Sequence, residues 1–200
     1  MSRDQGGVVA RLRRALKRAL ISSPNRDRWQ RPEQIIGALE LKPGEVVADL
    51  GAGGGYFTVR LAHAVGPTGI VYAVDTDADM LFSVDEVARY AGLANVRPTH
   101  AEPDGPDLPE PVDLFFLCNA YHHIPDQRHY FERLSQQLAP AGRVAIVESL
   151  ADGWMARLFG HATAPERIRR DMEAAGYRLH ADYPLLDGQS YQVFRRAVAG

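Results

Sequence analysis

A carboxylate followed by a glycine-rich turn is the part of this sequence best suited to ligand chemistry. The apolar run at 46–50 contains Asp49 and is followed by the alternating glycines Gly51, Gly53 and Gly55. A short apolar run bounded by glycines predicts a buried strand, and glycines let a backbone approach a ligand closely. Helical spacing resumes directly after the last glycine, so the pattern predicts a strand, a ligand-binding turn and a helix start. A tight turn that binds nothing would show the same glycines, and this alternative stays open.

The charge of Asp49 discriminates between two ligands that such a turn could hold. A dinucleotide places an anionic pyrophosphate at the turn and at the helix N-terminus, where a carboxylate would repel it. S-adenosylmethionine has no phosphate, and its cationic sulfonium and free amino group tolerate or favour a nearby carboxylate. The order D-x-G-x-G-x-G therefore favours S-adenosylmethionine over the dinucleotide of an oxidoreductase.

A second acid follows where a ribose ligand would need it. The apolar run at 69–75 ends in Asp75, about twenty residues beyond the glycines, where a carboxylate can accept hydrogen bonds from both hydroxyls of an adenosine ribose. The alternative is that Asp75 caps the next helix, as Thr76 and Asp77 also could. We expect the ribose role, and we include Thr76 and Met80 in the predicted cofactor site.

The elements that must position these residues alternate along the chain. Apolar runs predict strands near 45–50, 70–75, 95–99, 112–118 and 142–148. Helical patterns lie near 56–64, 77–91, 126–138 and 165–175. This alternation predicts an α/β fold with a parallel sheet. The segments at 178–184 and 190–196 follow each other without a helix, so we expect a hairpin that sets one antiparallel strand into the edge of the sheet.

The chain resembles the class I S-adenosylmethionine-dependent methyltransferases from about Trp29 to Arg196. The similarity rests on VVADLGAGGGYFT, VYAVDTDADML, VDLFFLCNAYHHIPD, the Pro-Ala-Gly turn before RVAIVES, and PERIRRDMEAAGYRL. Within that superfamily the chain is most similar to small bacterial proteins with a W-Q-x-P entry segment and a Y-H-H-I loop. The resemblance implies a doubly wound, Rossmann-like, seven-stranded, mostly parallel sheet with one antiparallel edge strand. It also implies methyl transfer from S-adenosylmethionine.

The resemblance further implies an acid after the third strand that accepts a hydrogen bond from the adenine amino group. Glu102 is the predicted residue, although the chain has H-A-E-P-D in place of the common Gly-Asp-Ala and Asp104 remains a rival. Both acids could instead be solvated loop charges. Asn119, which follows the fourth strand, completes the predicted cofactor site of Asp49, Gly51, Gly53, Gly55, Asp75, Thr76, Met80, Glu102 and Asn119.

The loop at 119–126 lies at the carboxyl end of the predicted sheet, where open α/β folds bind ligands. Tyr121 and His122 are the predicted catalytic residues, which would orient the acceptor and remove a proton where the acceptor must lose one. Adjacent side chains on extended backbone point to opposite sides, so we expect either His122 or His123 to line the site and the other to pack. A metal site is not expected, because no third ligand follows at a recognisable spacing. Simple packing of these rings is the alternative.

Three further features of the sequence bear on this predicted site. Glu148 is expected to end the fifth strand and to face the same crevice. The segment at 149–165 contains Trp154 and Phe159 and could form an apolar lid over the substrate or complete the core. Cys118 is the one cysteine and lies in an apolar run, so a buried small residue is favoured over a nucleophile and no intrachain disulfide is expected.

The N-terminal segment is basic. Residues 1–31 carry nine basic and two acidic side chains, a net charge of +7, which leaves −9 for the rest of a chain whose total is −2. Apolar and basic residues segregate between Val8 and Leu20, which predicts an amphipathic helix. We expect it to dock on the body or on a second subunit, so a homodimer is possible, and a membrane-surface helix is the alternative. Nucleic acid is not expected, because the acidic body would repel it.

The composition agrees with one compact enzyme. With 200 residues and 46% apolar content, the chain can bury a single core, and we divide it into an arm at 1–31 and a methyltransferase domain at 32–200. No window is long and apolar enough to cross a bilayer, so we expect a cytoplasmic protein. The predicted function is S-adenosylmethionine-dependent methyl transfer to a small-molecule or lipid-like acceptor. The alternative is a non-catalytic S-adenosylmethionine or S-adenosylhomocysteine binding module that docks through its basic arm.

Overall fold

The computed structural model describes residues 26–150 and 162–197. The predicted amphipathic helix at 8–20 and most of the predicted lid lie outside the described residues. The helices are α1 Arg26–Gln30, α2 Pro32–Ala38, α3 Tyr56–Val65, α4 Ala78–Tyr90, α5 Gln127–Gln137 and α6 Pro165–Ala174. The strands are β1 Val46–Leu50, β2 Ile70–Asp75, β3 Val96–His100, β4 Val112–Cys118, β5 Leu138–Ser149, β6 Tyr177–Asp182 and β7 Gln189–Arg196.

The seven strands form one sheet in the order β3-β2-β1-β4-β5-β7-β6. Strands β1 to β5 pair in parallel, whereas β7 pairs antiparallel with both β5 and β6. The predicted fold class, a seven-stranded and mostly parallel α/β sheet, is confirmed. The antiparallel strand β7 lies between β5 and β6, one place in from the edge. The strand order reverses beside β1, and open α/β sheets bind ligands at the carboxyl ends of the strands at such a point.

Both faces of the central strands β1, β2 and β4 are buried, which explains their continuous apolar runs. Val47 and Leu114 pack with α2, α3 and α4 on one face, whereas Ala48 and Phe115 pack with α5 and α6 on the other. Asp77 caps α4 by accepting a hydrogen bond from the Asp79 backbone, so this helix starts next to the end of β2. Within the described part of the chain, no helix combines the length and apolarity needed to cross a membrane.

Residues 26–31, which were predicted to belong to the basic N-terminal arm, pack on the body. The Gln30 amide donates to Gln189 Oε1 at 2.7 Å, and Arg31 donates to the Leu185 carbonyl at 2.7 Å and to the Asp187 carboxylate at 2.6 Å. Gln30 is fully buried. These hydrogen bonds hold the end of α1 against the start of β7 and the loop that precedes it.

Candidate functional site

A cleft of about 1160 Å³ opens at the carboxyl ends of β1, β2 and β4. The glycine turn after β1, the start of α4 and the loop after β4 form its walls. Most of the predicted cofactor residues line it, namely Asp49, Gly51, Gly53, Asp75, Thr76, Met80, Glu102 and Asn119. Gly55 is not part of the lining and instead is the N-cap residue of α3. The fold thus brings one predicted set of residues, distant in sequence, around one cavity.

The first two residues of the glycine turn are fixed by backbone hydrogen bonds. The backbone nitrogens of Gly51 and Ala52 both donate to the Val74 carbonyl, at 2.8 and 3.0 Å. Gly51 has φ +74°, and a Cβ there would lie 2.6 Å from the Ala120 Cβ. At Gly53, by contrast, a Cβ would meet nothing within 4 Å. The turn is therefore closed on its Gly51 side and leaves space on its Gly53 side.

Gly51→Ala should lower the free energy of unfolding by about 1–3 kcal/mol, because the added methyl group has no room and the backbone is left-handed. Urea denaturation measures this loss. Gly54→Ala is the matched control, since a Cβ at Gly54 meets nothing within 4 Å and its φ is not positive. We expect the control to stay within about 0.5 kcal/mol of the wild type. Equal losses for both variants would contradict this assignment of the turn.

Asp75 is oriented by the turn that it faces. Its Oδ2 accepts a hydrogen bond from the Gly53 backbone at 2.9 Å, and its Oδ1 accepts one from the Asp77 backbone at 3.0 Å. Because a carboxylate oxygen can accept two hydrogen bonds, each keeps capacity for one more donor. The side chain that caps α4 is that of Asp77, not Asp75. Asp75 thus offers a fixed bidentate acceptor to a ligand in the cleft.

Asp49 provides a second carboxylate, and it is only 3% exposed. It accepts a hydrogen bond from Thr58 Oγ1 at 2.7 Å. Burial raises the pKa of Asp49 to about 7, although the Thr58 hydrogen bond and the charge of Arg26 oppose the increase. A cationic group bound beside Asp49 would favour its ionised form.

The two acids proposed for the adenine amino group have different surroundings. Glu102 lines the cleft, whereas Asp104 does not and forms an ion pair with Arg133. Arg133 also pairs with Asp107 at 3.0 Å. Of the two acids, Glu102 is therefore the one placed to meet a ligand.

The histidine loop departs from the expected geometry. Tyr121–His123 forms a short 3-10 turn, and both His122 and His123 line the cleft with ring centroids 4.0 Å apart. The expectation that only one of these side chains would line the site is wrong, because it assumed extended backbone. In a 3-10 turn consecutive side chains lie about 120° apart, rather than about 180° apart as on extended backbone, so both rings can reach the cleft.

Glu148 lies behind His122 and is not part of the cleft lining. The prediction that its side chain faces the crevice is therefore wrong. Its side chain is fully buried, and its Oε1 lies 3.0 Å from His122 Nδ1. The Ser149 backbone donates to the same oxygen at 3.0 Å. An ionised carboxylate can only accept, so Nδ1 is the donor of this hydrogen bond. In an imidazole that carries one proton, on Nδ1, Nε2 is the acceptor nitrogen.

Tyr121, the other predicted catalytic residue, lies in the core and not in the cleft. Its ring is fully buried and stacks on Phe131, and its hydroxyl donates to Asp171 Oδ2 at 2.8 Å. Burial raises the pKa of Tyr121. Tyr121 therefore packs the histidine loop against α6. The prediction that Tyr121 contacts the acceptor is wrong.

Two of the lining residues, Cys118 and Asn119, lie at the end of β4 and directly after it. Asn119 has φ +54°, and its Oδ1 accepts hydrogen bonds from Ser149 Oγ at 2.9 Å and from Gln189 Nε2 at 3.0 Å. Cys118 is half-buried, and burial raises the pKa of its thiol to about 12. The thiol therefore stays protonated at neutral pH, which argues against a nucleophilic cysteine.

Sequence reasoning missed several lining residues. Arg26 and Trp29 come from α1, and Phe82 and Val87 come from α4. Phe82 is 60% exposed. The W-Q-x-P segment, which carried part of the resemblance, indicated that α1 belongs to the domain. Arg26 was nevertheless placed in the arm, because residues 1–31 together are strongly basic.

Comparison with known proteins gives consistent matches. A family model described as a methyltransferase domain matches residues 41–191. A demethylmenaquinone methyltransferase from Bacillus cytotoxicus is 27% identical over 134 residues, which cover 66% of this chain and 55% of that protein. A 27-O-demethylrifamycin SV methyltransferase from Amycolatopsis mediterranei is 28% identical over 126 residues, covering 59% and 43%. The chain thus spans about half the length of these curated relatives.

A solved structure shares the fold. The crystal structure of a SAM-dependent methyltransferase from Aquifex aeolicus superposes with a TM-score of 0.76 at 24% identity, covering 91% of this chain and 96% of that one. This likeness covers most of both chains and supports the fold described above.

Proposed function

Since the chain belongs to the methyltransferase domain family, we propose that it transfers a methyl group from S-adenosylmethionine to a small-molecule or lipid-like acceptor. The observation that carries this proposal is the pairing of Asp75 with the glycine turn. The carboxylate is held by the Gly53 backbone at the end of the strand next to that turn, and its remaining acceptor capacity suits a ribose diol.

The charge of the cleft also suits this cofactor. Among the described residues that line it, the carboxylates are Asp49, Asp75, Asp77, Asp79 and Glu102, and Arg26 is the one lysine or arginine. Such a surface favours a ligand with a sulfonium and an amino group. It opposes the pyrophosphate of a dinucleotide, which needs positive charge or unopposed backbone N–H groups.

The proposed acceptor class rests on the size and walls of the cleft. Ligand pockets commonly have volumes of about 300–1,000 Å³, and the cleft of about 1160 Å³ leaves room for a second small molecule beside the cofactor. Phe57, Phe82 and Ile124 give its walls apolar surface. Relatives named for demethylmenaquinone and 27-O-demethylrifamycin SV support an organic acceptor.

His122 is the proposed base of the reaction. When bound, the cofactor supplies an electrophilic methyl group, so the protein mainly has to orient the acceptor and remove its proton. Glu148 accepts from His122 Nδ1, and this hydrogen bond favours the tautomer in which Nε2 is the proton-accepting nitrogen. This arrangement suits an acceptor that must lose a proton, such as a hydroxyl group.

Cofactor binding and methyl turnover must be measured separately to test the proposal. We expect S-adenosylhomocysteine to bind in calorimetry while NADH does not. We also expect methyl-labelled S-adenosylmethionine to label at least one member of a panel of phenols, quinols and hydroxylated small molecules. Binding of S-adenosylhomocysteine without transfer to any acceptor would favour the non-catalytic binding module. Absence of S-adenosylhomocysteine binding would overturn the cofactor assignment itself.

A further inference from the structure

Three arginines form a row across the neighbouring strands β5, β7 and β6. Arg143 of β5 pairs with Arg195 of β7, and Arg195 pairs in turn with Arg178 of β6. Residues paired across strands point to the same face of a sheet, and Arg143 is also in register with Leu114, so the row lies on the face that carries α2, α3 and α4. Like charges directly opposite each other destabilise a sheet unless negative charge compensates them.

Of the three arginines, Arg143 has such compensation. Its guanidinium donates to both oxygens of Glu45, at 3.2 and 3.1 Å, and to the Leu39 carbonyl at 2.9 Å. Within residues 26–150 and 162–197, neither Arg178 nor Arg195 forms an ion pair. The Nε of Arg195 is shielded from solvent and has no hydrogen-bond partner there. Two positive charges of the row therefore remain for an anion to compensate.

A histidine lies beside these two charges. The pairing register between β6 and β7 shifts at His180, which places this residue in a bulge of the edge strand. His180 and Arg178 are both exposed. Partial burial and the charges of Arg195, Arg178 and Arg143 lower the pKa of His180, so the imidazole lies close enough to interact with all three arginines. An anion bound among them would oppose this decrease and favour the imidazolium.

Protection of the sheet edge explains only part of this charge. Strand β6 is an edge strand, and charged side chains on such a strand hinder pairing with another sheet. Strand β7, however, lies between β5 and β6, so Arg195 is not at an edge. A ligand that contacts both Arg195 and Arg178 accounts for the second charge as well as the first.

The row is remote from the cleft. Arg143 and Ser149 are six residues apart on β5, and Ser149 lines the cleft. At about 3.3 Å per residue, these two positions are about 20 Å apart. A ligand of the row is therefore distinct from the proposed cofactor and from the proposed acceptor.

We propose that Arg178, Arg195 and His180 bind a phosphate group. Such a group carries a charge of about −1.5 to −2 at pH 7, which is close to the charge needed to compensate the two arginines. Guanidinium forks bind phosphate oxygens through paired, charge-assisted hydrogen bonds, and an imidazolium donates one more. A soluble phosphate ester and a phospholipid headgroup both present this chemistry. The site does not depend on the proposed methyl transfer.

Titration of the full chain with inorganic phosphate tests the proposal, with the histidine C–H resonances followed by NMR at constant ionic strength. The His180 resonance, assigned with His180→Gln, should shift saturably with a Kd of about 1 mM or lower. The pKa of His180 should rise when phosphate is present. Arg178→Met and Arg195→Met should each weaken phosphate binding at least about tenfold. Arg169→Met is the matched control, because Arg169 is exposed on α6 and pairs with Glu173, and it should bind phosphate as the wild type does.

A resonance that responds equally to chloride and phosphate would overturn the site. Unchanged phosphate affinity in the arginine variants would overturn it as well, and Arg178→Met, an exposed position on an edge strand, decides this if Arg195→Met does not fold. Co-sedimentation with phosphatidic acid vesicles then separates the two sources of the phosphate. Vesicle binding that Arg178→Met removes supports a lipid headgroup, whereas absence of vesicle binding beside binding of inorganic phosphate supports a soluble ester.

Discussion

Replacing His122 with alanine should lower kcat by about 10²–10⁴ while S-adenosylhomocysteine binds as tightly as before. The reason is that the imidazole would act on the acceptor, whereas the cofactor would be held by residues of β1 and β2. The rate of the wild type should also fall at acid pH, because a protonated imidazole cannot accept a proton. This dependence should be absent in His122→Ala. Steady-state rates across pH, with calorimetry on the same variant, measure both effects.

His129→Ala is the matched control for this experiment, because His129 is exposed on α5 and does not line the cleft. It should keep the wild-type rate and pH profile. Glu148→Gln should give an intermediate loss, since the amide keeps the shape of the side chain but no longer fixes the His122 tautomer as a carboxylate does. A His122→Ala variant that retains most of its turnover would contradict the base assignment and leave the methyltransferase proposal standing.

The second large effect concerns Asp75. Asp75→Ala should weaken S-adenosylhomocysteine binding by about 1–3 kcal/mol, or between about five- and 150-fold, because a charge-assisted pair of hydrogen bonds to the ribose is lost. Calorimetry on wild type and variant measures the change. The variant also loses the acceptor for the Gly53 backbone, so its thermal unfolding must be recorded beside its affinity.

Asp126→Ala provides the control for that carboxylate. Asp126 also accepts a hydrogen bond from a backbone N–H group, that of His129 at 3.0 Å, but it caps α5 and does not line the cleft. Its loss should lower stability by about 1 kcal/mol and leave the affinity unchanged. Unchanged affinity in Asp75→Ala would contradict the ribose assignment.

Much of the fold followed from the order of apolar runs. The strands at 46–50, 70–75 and 112–118 coincide with the apolar runs of the sequence, because parallel strands buried on both faces are apolar throughout. The place of Asp75 at the end of β2 was predictable for the same reason, since a polar residue that ends such a run must lie at one edge of the sheet. The chain does not show in advance that β7 inserts between β5 and β6, because strand order depends on packing between distant elements.

The reactive side of the site was less predictable. The failure at Tyr121 arose because a tyrosine in a loop can turn into the core when a carboxylate such as Asp171 accepts its hydroxyl hydrogen bond. The prediction that the two histidines diverge assumed an extended backbone, and local sequence did not distinguish it from the 3-10 turn. Arg26 was missed because a basic segment is usually solvated, and only the aromatic side chains of α1 and α3 reveal that it is buried.

A crystal structure with S-adenosylhomocysteine bound will show whether this cleft is the cofactor site for methyl transfer. We expect both ribose hydroxyls to lie within hydrogen-bond distance of the Asp75 carboxylate and the homocysteine moiety to lie beside Asp49. Its sulfur should face the side of the cleft that His122 lines. Binding of S-adenosylhomocysteine elsewhere on the protein, or in this cleft with the ribose away from Asp75, would contradict this assignment.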